Sequence, residues 1–189
     1  MSVYRIKTLM SDITFHPIAT HQSLPEYQVG IATNTCEFPG IAQCIAIVGM
    51  MSNRMICAHV SPGTTQVQMN DIFDYLKQAG GDEVNYWYLL GPTEHHFIGR
   101  STLWMSLKDI KKTFKAKLNN KSTSYLFLDA SDERNTKVDF PEGQFRIASI
   151  DIRALKHGSL LQFSWKLREG RQKTRGDWIQ FDLKKFKRF

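Results

Sequence analysis

The sequence predicts an α+β fold, with largely antiparallel, sandwich-like β-sheets packed by two helices. Three observations predict it. Short β-branched and aromatic runs come first and last along the chain. Two stretches with helical spacing of apolar residues lie between them, near residues 70–79 and 107–118. Leu160 to Arg168 alternates cleanly, with Leu161, Phe163, Trp165 and Leu167 on one side and Gln162, Ser164, Lys166 and Arg168 on the other.

The elements follow in order. Val3 to Met10 alternates enough for an edge strand, and residues 11–26, with Pro17 and Pro25, read as loop. Tyr27 to Thr33 is a candidate strand, and Asn34 to Gly40 reads as a loop that ends on Pro39-Gly40. Two apolar runs follow, Ile41 to Val48 and Arg54 to Val60, with Ser52-Asn53 suited to the turn between them. A helix is expected after them, capped by Asn70, buried through Ile72, Tyr75, Leu76 and Ala79, and stopped by Gly80-Gly81. Val84 to Leu90 reads as a strand, residues 91–101 as a loop carrying His95-His96, and Leu107 to Leu118 as a second helix with Ser106 as its cap. Ser124 to Asp129, Phe145 to Ile152, Leu160 to Arg168 and Trp178 to Leu183 are the remaining strands. The last two are joined by a long basic loop. With 189 residues and no repeat or linker, the chain is read as one domain, 1–189.

Composition excludes several classes. Hydrophobic residues at 42% and charged residues at 23% are globular, not disordered. No apolar run of 18 residues exists, so no transmembrane helix is expected. The N-terminus lacks the apolar core of a secretory signal, and three cysteines cannot all pair. Reduced thiols in a cytoplasmic setting are therefore expected, or export to a host cytosol without a conventional signal peptide. Charge is uneven. Residues 1–152 carry 14 basic against 15 acidic side chains, and residues 153–189 carry 11 against 3. That basic segment suits an acidic or RNA-associated protein partner, a host protein included, or nucleic acid bound through residues 166–188. Lys166, Arg168, Arg171, Lys173, Arg175, Lys184, Lys185, Lys187 and Arg188 would meet phosphates, with Trp165, Trp178, Phe186 and Phe189 near them for stacking.

The chemistry concentrates at the central pair of runs. Cys36, Cys44 and Cys57 are the chain's three cysteines, and His59 closes the second run before Ser61-Pro62-Gly63. An antiparallel hairpin would bring Cys44 near His59, the pairing that activates a thiol as nucleophile. Buried packing is the plain alternative for both. A metal site from Cys36, Cys44, Cys57 and His59 lacks C-x-x-C or H-x₃-H spacing, so no metal and no cofactor is expected.

Ile41-Ala42-Gln43-Cys44, followed by an apolar strand and then by Cys57-Ala58-His59-Val60-Ser61-Pro62, resembles the glutamine deamidases of the CheD and cytotoxic necrotizing factor group and the related Burkholderia lethal factor. The resemblance covers roughly residues 30–65. There the nucleophile follows Leu-Ser-Gly or Leu-Gly-Ser and the histidine lies on the next strand. In this chain the spacing from Cys44 to His59 is 15 residues, and Gln43 stands where the family has Gly or Ser. The resemblance implies a protein-glutamine deamidase, a bacterial toxin or effector, with Cys44 as nucleophile, His59 as acid and base, and a third element that is Thr or a main-chain carbonyl upstream of Cys44. The family's offset of six residues lands on Phe38, so Thr35 or a carbonyl within 35–38 takes that role.

Overall fold

The computed structural model describes residues 12–41, 44–61, 63–91, 107–118, 124–130, 149–169 and 173–188. The candidate strand 3–10, His95-His96, the Ser106 cap and the loop 131–139 lie outside them. Ten strands are present: β1 (Thr14–Ser23), β2 (Gln28–Ile41), β3 (Ile45–Met50), β4 (Met55–Val60), β5 (Tyr86–Gly91), β6 (Ser124–Asp129), β7 (Ser149–His157), β8 (Leu160–Glu169), β9 (Lys173–Gln180) and β10 (Lys187–Arg188). Two α-helices accompany them, α1 (Gln66–Gln78) and α2 (Leu107–Leu118). All strands belong to one sheet, ordered β10-β6-β5-β3-β4-β2-β7-β8-β9, with β1 alongside β2.

This corrects the expected α+β sandwich. Strands hold 58% of the described residues and helices 21%, and the single mixed sheet curls into a half-barrel. The β1–β2 and β5–β6 pairs are parallel and the others antiparallel. The added strand content comes from two segments expected to be loops, residues 14–23 and 34–40. Their prolines had argued against strands. Pro17 falls where the β1–β2 register slips between His16 and Ala19, and Pro39 where β2–β7 slips between Phe38 and Ile41. A bulge leaves a residue without a ladder bond, so it tolerates proline's missing N–H.

β2 makes the curl. Its first half pairs with β4, Gln28 opposite His59 through Ala32 opposite Met55, and its second half pairs with β7. Phe38 is ten residues beyond Gln28, a span of about 33 Å in a straight strand. Yet its ring centroid lies 6.1 Å from that of His59. The strand therefore bends back over its own sheet, and β7–β9 come to face β3–β6. Across the concave side Tyr88 of β5 meets Phe163 of β8 at 5.1 Å, and Phe186 packs on both rings at 5.6 and 5.3 Å.

Each face of the sheet has its own core. The concave core includes Phe38, Ile41, Cys44, Ala46, Val48, Cys57, Ile152, Phe163 and Trp165. The other face carries Ile45, Ile47, Ile56, Ala58 and Val60 against both helices. Helix α1 begins earlier than expected. Thr65 caps it, accepting from the Gln68 amide at 3.3 Å, while Gln68 Oε1 accepts from the Thr65 amide at 2.8 Å. This reciprocal box satisfies two amides that a helix start leaves unpaired. Phe114 of α2 ties the helices to the sheet, 4.9 Å from Phe73 and 5.2 Å from Trp87.

Gly49 of β3 lies opposite Trp87 of β5, and a Cβ there would stand 2.6 Å from the fully buried indole. Glycine is required for the indole to pack this close to β3. Gly49→Ala is expected to lower unfolding stability by about 1–3 kcal/mol, the usual range for overpacking. Urea denaturation of the variant beside wild type checks it.

Candidate active site

The hairpin brings Cys44 and His59 to one face. β3 and β4 pair antiparallel, with Ile45 opposite Val60 and Ala46 opposite His59, and Met51 N–H closes the turn on Arg54 O at 3.0 Å. Side chains alternate along each strand, so His59 shares the concave face with Ala46 and Cys57. Cys44, two residues before Ala46, is buried in the same concave core. It stands one residue before β3, next to the ladder pair of Ile45 and Val60.

His59 is fully buried and its ring is held from one side. Nδ1 lies 2.8 Å from the carbonyl oxygen of Leu24. A carbonyl only accepts, so Nδ1 carries the proton and the neutral ring presents Nε2 as a bare lone pair. Among the described residues Nε2 has no hydrogen-bond partner. A buried polar atom without a partner is uncommon and asks for an explanation. Phe38 packs edge-on against the ring at 77°. Burial is the largest influence on the imidazole and depresses its pKa, while the Leu24 carbonyl and the Glu26 carboxylate push it up more weakly.

The clamp on His59 is the short connection between β1 and β2. Leu24 O takes the imidazole proton, and Tyr27 N–H donates to His59 O at 3.0 Å. Tyr27 has φ 64, the left-handed region that a bulky residue rarely adopts. Leu24 is itself anchored, its amide donating to Glu37 O at 2.8 Å. Gly30 of β2 lets the segment approach, since a Cβ there would sit 3.0 Å from Leu24 Cδ2.

Thr35 is not part of this cluster. Along β2, Ala32, Cys36 and Phe38 face the concave core, which turns Thr35 to the opposite face, where its hydroxyl donates to Asn34 Oδ1 at 2.9 Å. The main-chain carbonyl that meets His59 belongs to Leu24, outside the 35–38 window. The available signal was a lone leucine before Pro25 in a polar stretch, an apolar anchor that pins a loop to a core. The Thr64 hydroxyl donates to Ser61 O at 2.7 Å, and so it serves the turn into α1 and not His59.

The three cysteines are buried and none forms a disulfide. Burial, a hydrogen bond with Cys57 and the nearby Glu37 charge hold the Cys36 thiol well above its ordinary pKa. Cys36 is thus kept as an unreactive thiol. Among the described residues no group of three or more His, Cys, Asp or Glu side chains could hold a metal ion.

On the C-terminal strands, Trp165 is 2% exposed and Phe186 belongs to the concave ring cluster. The Trp178 ring is covered by the Arg153 guanidinium at 3.8 Å and by Lys166 Nζ at 4.5 Å. Lys184, Lys185 and Lys187 are exposed, and the side chains of Arg171, Lys173 and Arg175 lie outside the described residues. No helix among the described residues is long and apolar enough to cross a membrane. Comparison with protein-family models, curated proteins and solved structures gives no match to this chain.

The depressed histidine pKa has a consequence for stability. The folded imidazole binds its proton less tightly than the unfolded one, so the unfolded chain gains from acid. The contribution of neutral His59 is complete above the unfolded value of about 6.5 and is lost as pH falls below it. Thermal unfolding between about pH 7.5 and about pH 5.5 should show stability falling with acid in wild type, and a flatter profile in His59→Gln.

Proposed function

We propose that the protein is a cysteine-dependent glutamine deamidase that converts a glutamine side chain of a partner protein to glutamate. One observation carries the reading: His59 Nε2 is a bare, unpartnered nitrogen on the face that also holds Cys44, with Nδ1–H fixed on the Leu24 carbonyl. A neutral ring with Nδ1–H tied and Nε2 bare is the protonation state that a general base for a thiol needs. The motif resemblance to CheD-type deamidases supplies the reaction class.

In the proposed reaction His59 Nε2 takes the Cys44 proton and the thiolate attacks the carboxamide carbon. The carbon–nitrogen bond then breaks, and the imidazolium gives its proton to departing ammonia. Water, deprotonated by the neutral ring, attacks the thioester. The carbon–sulfur bond breaks, glutamate leaves and the thiol is restored. The Leu24 carbonyl holds the imidazole orientation throughout and stabilises the imidazolium when it forms. The new carboxylate adds a negative charge to the partner, enough to break a local hydrogen bond. A bacterial toxin or effector acting in a host cytosol fits this chemistry, and the basic residues 153–189 suit an acidic or RNA-associated target.

Nucleic-acid binding through residues 166–188 has less support. Among the described residues Trp165 is buried, Phe186 packs against the concave core and Trp178 is covered by cations, so charge is the main support left, and charge draws many partners.

The test is the iodoacetamide alkylation rate of each cysteine in the native protein against pH, read by peptide mass spectrometry in wild type and His59→Ala. Cys44 alone should react rapidly near neutral pH and lose that reactivity in the variant. Glutamine-to-glutamate conversion in a host-cell lysate should vanish with Cys44→Ser and fall by about 10²–10⁴ with His59→Ala. A Cys44 that stays silent until the protein unfolds would sink the proposal.

A further inference from the structure

The path of strands through the sheet ends at β9 on one side and at β10 on the other, and the chain itself runs between the two ends. β9 stops at Gln180, and β10 begins at Lys187 beside β6. Seven residues separate them, a reach of at most about 25 Å, so the segment between crosses the open side of the half-barrel as a strap. Its root is firm. Phe181 is 4% exposed, its amide donates to Phe163 O at 2.9 Å, and its ring lies 6.4 Å from that of Trp165.

Beyond Phe181 the attachment is slight. Residues 182–188 are all exposed except Phe186, which is half-buried. Its ring packs on Tyr88 of β5 and Phe163 of β8, the two rings that meet across the concave side. β10 adds two ladder residues, Lys187 opposite Phe127 and Arg188 opposite Leu126, and Arg188 Nη2 donates to Ser124 Oγ at 2.8 Å. The turn before it is bonded within itself. Asp182 Oδ1 accepts from the Lys184 amide at 2.9 Å, and Asp182 O accepts from the Lys185 amide at 2.9 Å. Such bonds travel with the segment and do not hold it down. Lys184, Lys185, Lys187 and Arg188 accompany a single acidic side chain, Asp182, so the strap also repels itself. Beneath it lies a row of ladder partners that crosses four strands, Leu128, Leu90, Ala46 and His59. The β10–β6 register, continued by one residue, sets Phe186 beside Leu128 at the end of that row. His59 is three strand spacings further in, about 14 Å. It is fully buried, and among the described residues its Nε2 has no partner.

We propose that residues 182–188 are a detachable strap, hinged at Phe181 and latched by Phe186 on Tyr88 and Phe163, whose local opening admits a reactant to the concave interior that holds His59 Nε2. A segment that buries one ring opens far more often than the sheet it leans on, and without unfolding that sheet. The inference goes beyond the deamidase reading. It requires nothing of Cys44, so the two stand or fall separately.

The experiment combines amide hydrogen exchange with diethyl pyrocarbonate labelling of histidines, both read by peptide mass spectrometry on the full chain, wild type and Phe186→Ala, near neutral pH. Diethyl pyrocarbonate acylates an unprotonated imidazole nitrogen, and the exposed His21 and His157 serve as references. In wild type, residues 182–188 should exchange at least about 10²-fold faster than β5 and β8, with little response to low urea. Phe186→Ala should speed strap exchange and His59 labelling together, by about 10-fold or more, while β3–β4 exchange and the labelling of His21 and His157 stay at wild-type rates. A strap that exchanges at the rate, and with the urea dependence, of β5 and β8 would overturn the proposal. So would faster strap exchange in the variant with His59 labelled at the wild-type rate. If Phe186→Ala instead loosens the whole sheet, the wild-type protein decides. His59 labelling must then share the strap's weak response to urea, and a response matching global unfolding would overturn it.

Discussion

The hydrogen bond from His59 Nδ1–H to the Leu24 carbonyl sets the character of the site. It decides the tautomer, and so it decides that Nε2 is a base and not a donor. It also fixes the ring in a fully buried position where a charged imidazolium is disfavoured. A structural histidine in an apolar core would ordinarily use both nitrogens. This ring uses one, and among the described residues the other has no partner. The bond depends in turn on a loop of four residues, on the left-handed Tyr27, and on Gly30, whose lack of a side chain gives Leu24 room.

The loop is where it is because β2 bends. A strand that pairs with β4 and then turns back to pair with β7 lays Phe38 over His59 and brings Cys36 against Cys57. The same bend closes half a barrel and creates the concave interior. Two cores then form on one sheet, the helices covering one face and the β7–β9 wing covering the other. Burial of Trp165 and Phe163 follows from that closure, and it removes them from any role at the surface.

Local signals in the sequence carried much of this, and long-range ones little. The β3–β4 hairpin was legible because both runs are short, β-branched and joined by Ser52-Asn53, and it sets His59 opposite Ala46, two residues after Cys44. Leu160 to Arg168 was legible from strict alternation. The start of α1 was written in Thr65-x-x-Gln68 but read at Asn70, because Asn70 precedes the clearest apolar spacing. Residues 14–23 and 34–40 were taken as loops on the strength of their prolines, which sit at register slips. The bend in β2 and the Leu24 carbonyl's bond to His59 depend on residues far apart in sequence, and periodicity carries no trace of them. Thr35 was reached through a family offset, and strand alternation turns it to the other face.

The most direct measurement is the protonation of His59 itself, by nitrogen-15 NMR of histidine-labelled protein near neutral pH. A neutral ring with its proton on Nδ1 and a bare Nε2 is the expected result. A proton on Nε2, or an imidazolium at that pH, would contradict it and leave Cys44 without its base.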